Sequence, residues 1–164
     1  MENYRAERMQ FASSGFSIFG ASGLVGTLTM KGSSKAEAEW DGGPPWLFKR
    51  TGFWASVSTA APVGAFEPLL RVADGWSRNA ISASDGTTYV WQKSECQLLR
   101  IDRARIVHMT SHWTHYDIEL EPDLVAGAPR KAAIDPKALM FLCLFLKELD
   151  TNDAAVAATF VATP

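Results

Sequence analysis

DPKALMFLCLFLKEL, residues 135–149, is the stretch that decides the fold, because no other run in the chain is as apolar or as clearly bounded. Asp135 is a good N-cap, its carboxylate placed to accept from the free amides of the first turn, and Pro136 takes the first helical position, where no backbone donor is missed. From Ala138 to Leu146 every residue is apolar. Apolar surface therefore runs all round the helix, and a helix of that kind has to be enclosed. A bilayer span needs about 20 apolar residues, whereas Lys137, Lys147, Glu148 and Asp150 bracket this run closely. The stretch reads as a central core helix with no transmembrane segment.

What surrounds the helix is written in the residues before it. Short segments of β character recur between turn signals: Leu24–Met30, Ala36–Trp40, Trp46–Arg50, Phe53–Thr59, Phe66–Val72, Arg78–Ala83, Thr87–Trp91, Gln97–Ile101, Arg105–Met109 and Tyr116–Leu120. The joints are Asp/Gly-rich, as at Asp41-Gly42-Gly43, Thr51-Gly52, Asp74-Gly75 and Ser84-Asp85-Gly86. Sequential hairpins give an antiparallel meander. In HYDIELE, residues 115–121, Tyr116, Ile118 and Leu120 alternate with His115, Asp117, Glu119 and Glu121, so one face is buried and the other wet. The six Trp, at 40, 46, 54, 76, 91 and 113, are read as filling the space between sheet and helix. A curved sheet needs its inner face covered, and this helix needs cover on all sides. An antiparallel β-barrel closed round one buried C-terminal helix meets both needs.

A chain of 164 residues, 47% hydrophobic and 21% charged, is an ordinary single globular domain. The domain is placed at 1–150, with an N-terminal arm or short helix at 1–15 and a short strand or tail at 151–164. A net charge of −2 lacks the electrostatic footprint that nucleic-acid binding requires. Two cysteines, one inside the apolar helix, make no disulfide framework, and MENYRAERMQ has no secretory pattern. The reading is an intracellular, cytoplasmic protein, with peripheral membrane association left open.

The order of features resembles the tubby C-terminal-like superfamily: Asp85-Gly86-x-x-Tyr89-x-Trp91 in mid-chain, then hairpins, then a late Asp-capped apolar helix. That group takes in tubby proteins, phospholipid scramblases, plant LURP-one-related proteins and small fungal proteins of unknown function, the last being nearest. The resemblance covers roughly residues 66–149. It implies a barrel of about twelve strands closed round the helix, and a non-catalytic module that binds anionic phospholipid headgroups or a protein partner.

The candidate ligand-binding residues are the clustered cations Arg100, Arg103 and Arg105 on one hairpin, with Arg130 and Lys131 ahead of the helix. A guanidinium grips phosphate through two donors at once. His108, His112 and His115 are a weak metal candidate, with Asp117 close behind, because two strands joined by a turn near Ser111–Thr114 scatter side chains over opposite faces. No catalytic constellation and no cofactor is expected. The enzyme alternative is a nucleotide-dependent oxidoreductase using Gly20, Gly23 and Gly26, which resemble the turn of extended short-chain dehydrogenases. That turn needs a following helix, whereas Thr27, Thr29 and Gly32-Ser33-Ser34 disfavour one.

Overall fold

The computed structural model describes residues 1–10, 14–52, 56–125 and 134–161. Twelve strands form one closed antiparallel barrel: β1 (Glu2–Arg8), β2 (Gly15–Gly20), β3 (Gly23–Met30), β4 (Lys35–Trp40), β5 (Trp46–Thr51), β6 (Val57–Pro62), β7 (Leu70–Ala73), β8 (Arg78–Ala83), β9 (Thr88–Gln92), β10 (Gln97–Arg100), β11 (Arg105–Ser111) and β12 (His115–Leu120). Each strand pairs with its sequence neighbours, and β1 closes the ring on β12, Glu2 opposite Leu120 and Glu7 opposite His115. A short α1 (Pro122–Val125) and the long α2 (Pro136–Val161) complete the described elements.

Alternation along the strands sorts the barrel into two faces. Ala36, Ala38 and Trp40 of β4, Asn79, Ile81 and Ala83 of β8, and Tyr116, Ile118 and Leu120 of β12 are buried, while Glu37, Lys49, Arg71, Asp117 and Glu119 lie outside. Apolar inside and charged outside is the inverse of a membrane barrel, whose outer band is apolar. The Asp85-Gly86 pair makes the β8–β9 turn, with the Asp85 carboxylate accepting from the Thr87 amide at 2.8 Å and Gly86 at φ 91°. Tyr89 and Trp91, two and four residues after the turn's end, fall on the buried face.

The helix is inside. Every residue from Ala138 to Leu146 is at most 3% exposed. α2 touches both β5 and β11, which lie on opposite sides of the ring. Trp40 stacks on Phe141 with centroids 5.1 Å apart, and Phe48 meets Phe145 at 5.7 Å. Asp135 caps the helix, accepting from the Lys137 amide at 2.9 Å, and its other oxygen accepts from Trp40 Nε1 at 3.1 Å, which ties the cap to the barrel wall.

Three expectations need correction. Residues 2–8 are neither a helix nor a loose arm but the strand that closes the barrel; Ala6 is the inward position, and polar residues on both sides of it mask the alternation. Residues 151–161 continue α2 as an exposed helix rather than a strand or tail, since Ala-rich sequence extends a helix already nucleated in the core. Trp40, Trp46 and Trp91 pack in the core as expected, but Trp76 and Trp113 sit fully exposed in the β7–β8 and β11–β12 turns, where no inward face exists; Trp54 lies outside the described residues.

A carboxylate at the centre of this core would be unpaired. Leu142→Asp is expected to remove the cooperative unfolding transition, since the cost is comparable to a total stability of about 5–15 kcal/mol. Leu142→Ala should lower stability by about 2–5 kcal/mol in urea denaturation; a wild-type midpoint for both variants would mean that the helix is not enclosed.

Candidate functional site

Three clefts among the described residues are separated by their charge. One of about 440 Å³ runs beside Leu24–Thr27 and is lined also by Glu39, Trp40 and Asp41, with no basic residue. The glycine motif lies on this side of the barrel. Gly20 and Gly23 face each other across a two-residue turn between the antiparallel β2 and β3, with Gly23 at φ 118°. Gly26 sits within β3, where a Cβ would come 2.3 Å from the Glu39 carbonyl. These glycines serve a hairpin and a close strand crossing. β3 runs as expected, although closure leaves it paired on both sides. Among the described residues no helix contributes to the lining of this cleft, and its two carboxylates would repel a pyrophosphate.

The largest of the three, about 810 Å³, opens where α2 leaves the barrel. Apart from Lys147, its charges are bound to partners. Lys93 reaches Asp74 at 2.9 Å and Asp150 at 3.3 Å, and Arg50 grips Asp153 through two contacts of 2.7 and 3.0 Å. Burial pushes the Asp150 carboxyl above its ordinary value, against the pull of Lys93. On another side of the rim, Arg8 holds Glu148 with two contacts of 3.2 and 3.1 Å. These pairs fasten the emerging helix to the rim and leave no surplus of positive charge for a ligand.

The third cleft, about 550 Å³, lies on the outer face of β8, β9 and β10. Arg78, Arg100 and Arg103 line it with Gln92, Gln97 and one carboxylate, Glu95, over a floor of Val90 and Leu99. Its geometry comes from the β10–β11 turn. Asp102 accepts from Arg100 Nε at 3.0 Å and from the Ala104 amide at 3.1 Å, and Arg100 also donates to the Leu124 carbonyl. That network holds Arg103 in the left-handed region at φ 68°, a conformation uncommon outside glycine. The guanidinium groups of Arg78 and Arg103 have no ion-pair or hydrogen-bond partner among the described residues.

The sequence candidates divide accordingly. Arg100 and Arg103 come together in this groove. Arg105 points elsewhere, pairing with Glu119 at 3.2 Å, and Arg130 and Lys131 lie outside the described residues. Arg78 was not legible, because it reaches the groove only through the pairing of β8 with β9 and β9 with β10, and nothing in its neighbourhood sets it apart. Among the histidines, His108 approaches Glu119 at 3.5 Å, but His112 and His115 stack with centroids 4.6 Å apart beside Asp117. His108 shares their outer face but sits opposite Glu119, two residues along β12 from Asp117, so distance along the strand and not alternation separates it from the other two. Cys143, buried in the helix with its thiol pushed up by desolvation, is no nucleophile.

No family model matches the chain, and no curated protein or solved structure matches it either. No helix among the described residues is long and apolar enough to cross a membrane.

The Arg100 guanidinium, and then the Ala104 amide, hold the Asp102 carboxyl down at about 2. The turn's ion pair is therefore complete above the ordinary aspartate range near ~3.9 and is lost only as pH falls through the depressed value. A carboxyl-carbon NMR titration should place Asp102 well below the other exposed aspartates, and Arg100→Gln should return it toward them. A normal midpoint in the wild type would mean that the turn is not locked in this way.

Proposed function

We propose that this chain is a non-catalytic binding module of tubby-like type whose ligand is an anionic, phosphate-bearing lipid headgroup, taken up in the groove of Arg78, Arg100 and Arg103. The observation that carries the reading is the charge of that groove: beside Arg100, which Asp102 neutralises, the guanidinium groups of Arg78 and Arg103 are unpaired among the described residues and meet the single lining carboxylate of Glu95. A surface arginine without a carboxylate partner keeps its donors available, and guanidinium matches phosphate geometry through paired contacts. Arg100, fixed by Asp102 and the Leu124 carbonyl, supplies a positioned member of the set. Gln92 and Gln97, hydrogen-bonded to each other at 2.6 Å, add polar lining.

A tubby-like kinship is supported by the barrel closed round a late apolar helix and by the Asp85-Gly86 hairpin that presents Tyr89 and Trp91 to the core. Exposed Ile101, at the tip of the same turn as Arg103, suits contact with the headgroup layer of a membrane. Basic residues near an anionic surface contribute ~1 kcal/mol each, so three give weak, salt-sensitive binding.

Co-sedimentation with phosphoinositide-doped vesicles at low and physiological salt tests the reading. Wild type should pellet at low salt, Arg78→Glu/Arg103→Glu should stay in the supernatant, and Lys49→Glu/Arg71→Glu, the same charge change outside the groove, should have a smaller effect. Soluble inositol phosphate should release the bound protein. Equal pelleting of wild type and the double variant, or none by either, would remove the lipid ligand and leave a protein partner as the surviving binding role.

A further inference from the structure

The geometry points to a second site, independent of the arginine groove: an open metal site of the zinc class made by His112, His115 and Asp117 at the β11–β12 turn. Each residue offers one ligand atom, and the three lie within 4.8 Å of one another. His112 Nε2 stands 3.0 Å from Asp117 Oδ2, and His115 Nε2 stands 3.5 Å from Asp117 Oδ1. Two donors held about 2.1 Å from one zinc ion are roughly 3.4 Å apart at the tetrahedral angle, so these spacings are those of ligands sharing an ion. The two imidazoles are stacked at 16°, and ligation turns them out of the stack so that both in-plane lone pairs meet at one ion.

The surrounding contacts favour this use. The Thr114 hydroxyl lies 3.1 Å from His115 Nδ1. With Nδ1 carrying the hydrogen toward that oxygen, Nε2 keeps its lone pair for the metal, the orienting arrangement typical of metal-bound histidine. Register places Glu7 of β1 opposite His115, which puts a further carboxylate on the same outer face. Two imidazoles with one carboxylate suit zinc, cobalt, nickel or copper rather than calcium or magnesium, which prefer all-oxygen sets. Three protein ligands leave positions open to water or to a donor from another molecule. Arg5 opposes the site, with its Nε 3.3 Å from Asp117 Oδ1. Bound metal would compete with that ion pair, which is solvent-exposed and therefore weak.

The test uses the untagged chain. Titration with cobalt(II), followed by its visible absorption, and with zinc, followed by calorimetry, is expected to saturate at one ion per chain. His112→Ala and His115→Ala should each weaken binding at least about tenfold, judged against the loss that even supporting residues cause, while His108→Ala should bind as wild type does. Arg5→Gln, which frees Asp117, should bind more tightly. Circular dichroism shows whether the variants remain folded, and the Arg5→Gln result does not depend on losing a ligand. Non-saturating titration, equal binding by the wild type and both histidine variants, or a thiolate charge-transfer band that assigns the ion to Cys96 would each overturn the site.

Discussion

Enclosure of the segment Ala138–Leu146 is the constraint on which the rest of the molecule depends. A helix with no polar side has no stable position at a surface, and a barrel of this girth has no stable interior without something to fill it. Each solves the other's problem. Full burial of a Leu, Met or Phe side chain is worth about 1.5–3 kcal/mol, and seven of the nine consecutive buried residues are of these types, in one core cluster with Trp40, Phe48 and inward residues of every strand. Where the helix leaves the barrel its character changes. Glu148, Asp150 and Asp153 meet Arg8, Lys93 and Arg50, which come from β1, the β9–β10 turn and β5 and so stand on different sides of the ring. The pairs centre the helix in the opening as well as holding it at one depth.

That arrangement also decides where binding chemistry can reside. Arg8, Arg50 and Lys93 serve the helix, Arg5 and Arg105 serve the outer face of β12, and Arg100 serves the turn in which it lies. A cationic residue becomes a candidate for an outside ligand when the fold has not already given it a carboxylate. By that criterion Arg78 and Arg103 stand out in the β8–β10 groove, and a simple count of nearby arginines in the sequence finds Arg103 but not Arg78.

Much of the fold was legible because it rests on local patterns. The all-round apolar run, the Asp135-Pro136 start, the Asp-Gly turns and the alternation in β12 each report a physical preference within a few residues. What could not be read depends on distant partners. β1 shows one buried apolar residue, Ala6, among charged neighbours, and its strand character comes from pairing with β12 at the other end of the sheet. Residues 151–161 follow the helix ahead of them. The exposure of Trp76 and Trp113 follows from their places in turns, which aromatic composition does not reveal. For the sites, the basic hairpin was visible as a cluster, but which of its arginines are occupied by Asp102 and Glu119 is a matter of register and turn geometry. The convergence of His112 and His115 likewise follows from the turn between them.

The closure of β1 on β12 has a consequence for how the chain reaches this state in a cell. Glu2 finds its partner in Leu120, and the helix that fills the interior follows β12 in the chain. At a synthesis rate of ~5–20 residues per second, β1 emerges roughly 6–24 s before its partner strand. During that interval the growing sheet has two open edges and an uncovered apolar face, the combination most prone to pairing with other chains. Distant pairing of this kind also makes for slow folding once the chain is complete. The helix is made after every strand that encloses it, so the barrel waits for α2 before it can close on its core, and that wait places its demand on chaperones that shield nascent β-sheet.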